Sequence, residues 1–401
     1  MAASTDRGMK EIARTAWPLS RRAGAIEPFH VMVLLARAKA LEAAGRSIIH
    51  MEIGEPDFPT PEPVRAAGAR AVERGDMFYT AAQGMPGLRR AIAGFYASRY
   101  GVTVDVRRIL VTPGASGALL LAMAALVNSG DEVLLADPGY PANRHFVQLM
   151  EGVPVNIAVG PDSNYQLRCE HLERNWSSRT AAALVATPSN PTGTLLAAEE
   201  LQAMARFVAA RNGALIVDEI YHGLVYDGDA QTALAQRDDV FVINSFSKYF
   251  SMTGWRLGWM VVPEHYVDAV DRLAQNFFLA APTPAQHAAL AAFEPATLAL
   301  LDARREEFRA RRDYLLPALR GLGFGVPQLP QGAFYIYANC SKFTDDSFVF
   351  ARELLEQAGV AIAPGIDFGV NAAREHVRFA YTQPVDVLAE GVRRIAKFFG
   401  K

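Results

Sequence analysis

The sequence predicts an α/β fold: a large domain with a mainly parallel central sheet, and a smaller α+β domain. Three observations carry that expectation. Between Arg107 and about Val262, short aliphatic and β-branched runs alternate with helical stretches. Those runs lack the in–out alternation of a half-exposed sheet, which is the pattern of strands covered on both faces. At 401 residues the chain also exceeds one average domain, so two are expected.

In chain order, Ile109-Leu110-Val111 reads as a strand followed by a helix from Ala115. Glu132 to Ala136 leads into a helix over Asn143 to Met150, and Ala182 to Ala186 precedes one over Glu199 to Arg211. Ala214-Leu215-Ile216-Val217 and Val240-Phe241-Val242-Ile243 complete the buried series. The periodic stretch from Ala296 to Leu322 reads as a long helix leading out of this unit. Beyond it, Phe334-Tyr335-Ile336-Tyr337, a helix over Ser347 to Ala358, Val360-Ala361-Ile362, Val377-Arg378-Phe379 and a last helix from Pro384 form the smaller unit.

Composition narrows the function classes. A formal charge of −2 and a pI near 6.5 give no electrostatic footprint for nucleic acid or an anionic membrane. Cys169 and Cys340 lie far apart and outside any CxxC spacing, which argues against a disulfide framework and a zinc site; no metal is expected. Met1 to Trp17 carries Asp6 and Glu11 and lacks the apolar core of a secretory signal. The run Ala118 to Val127 is too short to span a bilayer and reads as a buried helix. The sequon at Asn175 therefore has no role, and the protein reads as cytoplasmic.

Open α/β sheets bind ligands beyond the carboxyl ends of their strands. After Ile109-Leu110-Val111 comes Thr112-Pro113-Gly114-Ala115-Ser116-Gly117-Ala118, small residues opening a helix whose free N–H groups and dipole favour a phosphate. A structural cap has the same look, and neither a Walker lysine nor G-x-G-x-x-G is present. The next strands end in Asp137-Pro138-Gly139-Tyr140-Pro141 and Thr187-Pro188-Ser189-Asn190-Pro191-Thr192-Gly193. Asp218-Glu219-Ile220-Tyr221 follows, where an aspartate ending an apolar strand needs a partner; Glu219 reads as structural or solvent-facing. The run Asn244-Ser245-Phe246-Ser247-Lys248-Tyr249-Phe250-Ser251-Met252-Thr253-Gly254-Trp255-Arg256-Leu257-Gly258 sets a lysine among hydroxyls with an arginine beyond it, bracketed by apolar segments that read as buried strands. Desolvation and nearby cations lower a lysine pKa and suit the amine to a Schiff base with a carbonyl. Arg378, within the apolar strand His376-Val377-Arg378-Phe379-Ala380-Tyr381, needs an anionic partner and offers a planar fork for a carboxylate.

Together these motifs resemble the class I/II aminotransferases of the aspartate aminotransferase superfamily, fold-type I enzymes that bind pyridoxal 5'-phosphate (PLP). The resemblance runs from roughly Leu19 to the C-terminus. It implies that Lys248 carries the cofactor as a Schiff base, Asp218 pairs with the pyridine nitrogen, and Tyr140 stacks on the ring. It further implies that Asn190 and Tyr221 reach the phenolic oxygen, and that Ala115, Ser116, Ser245 and Arg256 hold the phosphate, with Ser247 either assisting or capping a turn. Arg378 and Asn190 would bind the substrate, with Gly54 of Ile53-Gly54-Glu55-Pro56-Asp57-Phe58 beside it. Tyr79, which opens the Tyr79 to Arg89 segment, would reach the phosphate of a neighbouring subunit, implying a homodimer with shared sites. The domains implied are residues 1–58 as an N-terminal arm and part of a discontinuous small domain, 59–295 as the large PLP-binding domain, and 296–401 as the small C-terminal domain.

The expected activity is ping-pong transfer of an amino group between an L-amino acid and a 2-oxo acid, with Lys248 as general base. A β-lyase or synthase on the same fold is the nearest rival. A non-catalytic effector-binding domain is remoter, because the stretch ahead of the resemblance is too short for a winged helix. A Ser245–Lys248 hydrolase leaves Asp218, Asn190 and Arg378 unexplained. Some aspartate-preferring relatives have a lysine where this chain has Ser116, and the segments Glu27-Pro28-Phe29-His30 and Phe277 to Ala281 are largely apolar. His30 is read as a packing residue before a pocket residue. A neutral amino donor, aliphatic or aromatic, is therefore expected, with an aspartate-preferring enzyme as the alternative.

Overall fold

The computed structural model describes residues 19–228 and 230–401; the reading of Met1 to Trp17 lies outside them. The strands are β1 (Ile49–Met51), β2 (Ile109–Thr112), β3 (Glu132–Asp137), β4 (Val153–Ala158), β5 (Thr180–Ala186), β6 (Ala214–Asp218), β7 (Phe241–Ser245), β8 (Gly258–Val261), β9 (Tyr335–Asn339), β10 (Val360–Pro364) and β11 (His376–Ala380). A seven-stranded sheet has the order β2-β8-β7-β6-β5-β3-β4. Only β8 runs against its neighbours β2 and β7; all other pairings in this sheet are parallel.

Every residue of β2, β6, β7 and β8 is buried, as continuous apolar runs require. The helix Gly114–Leu126 covers this sheet and buries Ala118, Leu119, Leu121 and Ala122, so the longest apolar run of the chain is a core helix. Among the described residues no helix is long and apolar enough to cross a membrane.

One strand of this sheet was not expected from the sequence. Strand β4 is an edge with mixed exposure and a proline, Pro154, so it lacks the buried pattern. Strand β8 is the buried strand expected just after the lysine run; its antiparallel direction is set by its neighbours β2 and β7.

A second sheet has the order β1-β10-β11-β9. Strand β1 pairs in parallel with β10, Ile49 opposite Val360, so residues before the large sheet join the C-terminal unit and make it discontinuous. The connecting helix is Pro295–Leu322, closed by Gly323 at φ 108. The helix expected over Ser347 to Ala358 is α-helical to Glu353 and widens to a π turn over Leu354–Ala358.

Register positions the site. Ser245 at the end of β7 and Thr112 at the end of β2 both pair with Gly258 at the start of β8. Asp218 at the end of β6 pairs with Ala186 at the end of β5. The loops carrying Gly114, Asn190, Asp218, Lys248 and Arg256 therefore leave the sheet at one edge.

Candidate active site

A cavity of about 300 Å³ lies at that edge. Gly54, Ala115, Ser116, Tyr140, Asn190, Asp218, Tyr221, Ser245, Lys248, Arg256 and Arg378 all line it. Every site residue expected from the sequence is thus brought together except Tyr79, which is 83% exposed and outside its own chain's cavity.

Lys248 Nζ donates to the Gly54 carbonyl at 2.6 Å. Burial, and then the charge of Arg378, lower its pKa from 10.5 to about 8, so the amine is partly neutral near physiological pH. The Asp218 carboxylate accepts from the Ile220 N–H at 3.1 Å, the one hydrogen bond of that side chain among the described residues. Burial raises its carboxyl from 3.8 to about 6, opposed by that N–H and by the Lys248 charge. A carboxylate so placed is stabilised by a cation delivered into the cavity.

Arg378 is buried. Its Nη1 donates to Asn190 Oδ1 at 3.0 Å and its Nη2 to the Glu52 carbonyl at 2.6 Å. The Nε has no partner among the described residues, and each Nη keeps a second N–H, so the fork retains donors for an incoming carboxylate. Asn190, held through its oxygen, presents its NH₂ as a donor.

The phosphate side of the cavity is built on close approach. Gly114 has φ 71, and a Cβ there would lie 2.8 Å from Arg256 Nη2. Arg256 is itself left-handed at φ 52, and its Nη1 donates to the Thr253 carbonyl at 2.9 Å. The first turn of the helix Gly114–Leu126 faces the same space with Ala115 and Ser116. The two serines differ. Ser245 Oγ accepts from the Ser247 N–H and donates to the Leu257 carbonyl, so its proton serves the loop. Ser247 Oγ accepts from Arg256 Nη1 at 3.5 Å, its one side-chain hydrogen bond among the described residues, and keeps its proton to donate.

Sequence reasoning missed Tyr335. Its hydroxyl lies 2.9 Å from that of Tyr221, and both groups are pushed up by burial. Its ring face sits 4.2 Å from the Arg378 guanidinium. The alternating aromatic pattern of β9 was the available signal, and nothing local distinguished Tyr335 from Tyr337.

Glu219 is fully buried rather than solvent-facing: it accepts from Thr232 Oγ1 and the Ala233 N–H. His30 packs as expected, its backbone N–H and Nδ1 both on Asp367 Oδ1. Phe29 lines the cavity, whereas Phe278 does not and packs against the helix Gly114–Leu126 near Gly117.

These features fit PLP. A depressed lysine amine, a buried carboxylate without a cation, a helix start beside an arginine and a carboxylate fork share one cavity. Among the described residues, no three metal-ligating side chains cluster.

Comparison with known proteins agrees. Residues 46–395 match the family described as aminotransferase class I and II. Valine–pyruvate aminotransferase of Mycobacterium tuberculosis is 41% identical over 380 residues, 94% of this chain and 97% of that protein. Aspartate/prephenate aminotransferase of Thermus thermophilus is 34% identical over 386 residues, 96% of this chain and 99% of that one. Among solved structures, an aminotransferase from M. tuberculosis superposes with a TM-score of 0.92 at 40% identity, covering 96% of this chain and 99% of that chain. Aspartate aminotransferase from T. thermophilus with maleate gives 0.90 at 34% identity, covering 95% and 99%.

Proposed function

This chain belongs to the class I and II aminotransferases, and from that premise we propose that it is a transaminase whose preferred donors are neutral L-amino acids. It is a PLP-dependent transferase acting between amino acids and 2-oxo acids. Bound PLP supplies a carbonyl for the amine and a protonated ring that draws electrons from the carbon bearing it. In our reading Arg378 anchors the substrate α-carboxylate, and Asn190 fixes the arginine's orientation. Lys248 Nζ carries the cofactor and, once displaced, takes the proton from the donor's Cα. Asp218 keeps the pyridine nitrogen protonated, Tyr221 and Asn190 face the phenolic oxygen, and Tyr140 covers the ring. Arg256, Ser245 and the helix start at Ala115 and Ser116 would hold the phosphate, with Ser247 assisting.

One observation carries the donor preference. The cations lining the cavity are Lys248, Arg256 and Arg378, and each has a role already. Glu52 and Asp367 add carboxylates to the lining, while Phe29, Val31, Met32, Ile53 and Leu119 give it an apolar wall. A distal carboxylate would meet no free cation there, at a cost of several kcal/mol. The valine–pyruvate relative points the same way; the aspartate/prephenate relatives favour the alternative. The test is kcat/KM for valine, alanine, methionine and phenylalanine against aspartate, with pyruvate and 2-oxoglutarate as acceptors. Neutral donors are expected to lead by at least about tenfold, and a clear preference for aspartate refutes the reading.

We further propose a homodimer in which Tyr79 crosses to the partner's phosphate. Met77, Phe78 and Tyr79 are exposed, as are Phe277 and Leu279. Thr283 Oγ1 bonds the Phe78 carbonyl at 2.7 Å, which ties the two segments into one apolar patch. In the same proposal residues 59–295 carry the cofactor, and 1–58 with 296–401 form the smaller unit. A cytoplasmic location accords with the free thiols of Cys169 and Cys340.

A further inference from the structure

Tyr335 opens β9, and Arg378 lies in β11. The register pairs Tyr335 with Ala380 and Arg378 with Tyr337, so Tyr335 and Arg378 are diagonal neighbours on one face of the sheet. That brings the guanidinium over the phenol ring at 4.2 Å. The Tyr335 hydroxyl has one hydrogen-bond partner among the described residues, Tyr221 Oη at 2.9 Å. It also packs hard on Gly54: a Cβ there would lie 2.0 Å from Tyr335 Oη, and the Gly54 carbonyl takes Lys248. One buried phenol thus touches the carboxylate arginine, the cavity tyrosine and the loop that holds the lysine.

We propose that Tyr335 is a positioning residue that couples occupancy of the Arg378 carboxylate site to the hydrogen bond Tyr221 offers into the cavity. Two hydroxyls in mutual contact need only one of their protons for the bond between them. When Tyr335 donates, the Tyr221 proton is turned into the cavity, and the chain of donors strengthens that bond. Burial raises both phenols and the Arg378 charge opposes it at both; the guanidinium lies directly on the Tyr335 ring, at 4.2 Å, so its bias is greater there and favours Tyr335 as the donor. A carboxylate on Arg378 neutralises this bias and weakens what Tyr221 donates. Carboxylate recognition is thereby reported to the cofactor's oxygen side. Asn190, bonded to Arg378 Nη1, is a second and parallel route.

The inference rests on the proposed roles of Arg378 and Tyr221, and the experiment separates the two levels. Holoenzyme is titrated with pH by its visible absorbance, alone and saturated with 4-methylpentanoate, an unreactive carboxylate. Wild type is expected to shift its midpoint upward on saturation. Tyr335→Phe keeps the ring under Arg378, so its Kd for the carboxylate should stay within about threefold of wild type. It should nevertheless lose most of the shift, the remainder passing through Asn190. A wild-type shift in Tyr335→Phe, with or without weakened binding, makes Tyr335 a mere platform and overturns the proposal. So does saturable binding to wild type without any shift. If Arg378→Lys binds the carboxylate as well as wild type does, the reading of Arg378 itself fails instead.

Discussion

The Asp218 carboxylate accepts one hydrogen bond among the described residues, from the Ile220 N–H, and burial lifts it from 3.8 to about 6. Between those values Asp218 holds its proton in the folded, cofactor-free protein and loses it in the unfolded chain, so its own contribution to stability falls as pH rises through that window. Asparagine at the same place has no charge to bury. Cofactor-free Asp218→Asn should therefore melt no lower than wild type at neutral pH. Its turnover with PLP should fall at least about a hundredfold, which is ~2.7 kcal/mol of barrier. Melting curves and kcat measured on one preparation check both halves, and near-normal turnover would remove Asp218 from its proposed role. At this scale the site was largely legible in sequence, because Asn190, Asp218 and Lys248 are chemistry-bearing residues just beyond buried apolar runs. Tyr335 was not: its neighbours Tyr221, Arg378 and Gly54 are distant in sequence and meet it only through β-sheet register and a loop.

The start of the helix Gly114–Leu126 depends on one backbone feature. Gly114 has φ 71, and its missing Cβ leaves room for Arg256 Nη2 at 2.8 Å. Alanine there strains the backbone and displaces the guanidinium. Gly114→Ala is expected to weaken PLP binding by more than about tenfold, ~1.4 kcal/mol, in a titration of cofactor-free protein. Gly94, inside the helix Pro86–Tyr100, is the contrast, since a Cβ there meets nothing within 4 Å. Gly94→Ala should leave PLP affinity alone and stabilise the fold by up to ~1 kcal/mol. Equal PLP affinities in the two variants would show that the Gly114 approach does not matter. Among the elements, fully buried strands were readable from apolar runs. The edge strand β4, with Pro154, and the antiparallel direction of β8 were not, because exposure and strand direction are settled by neighbours far along the chain.

Across the whole molecule, both sheets and the discontinuous small unit agree with the fold inferred from sequence, whereas the proposal of a dimer rests on the exposed Phe78 and Tyr79 patch. If Tyr79 serves a neighbouring site, mixing Tyr79→Ala with Lys248→Ala under conditions of subunit exchange restores partial activity, because one hybrid site holds both residues. Demonstrated exchange without recovery would mean that each site is built from one chain. The account as a whole turns on Lys248 as the residue that holds PLP. The chain has few lysines to confuse the outcome: Lys10, Lys39, Lys342, Lys397 and Lys401 are the others. Borohydride reduction of the yellow holoenzyme followed by peptide mapping is the most direct measurement. Bleaching with the cofactor found on the Lys248 peptide is the predicted result; a label on any other lysine, or a protein that takes up no PLP, would contradict it.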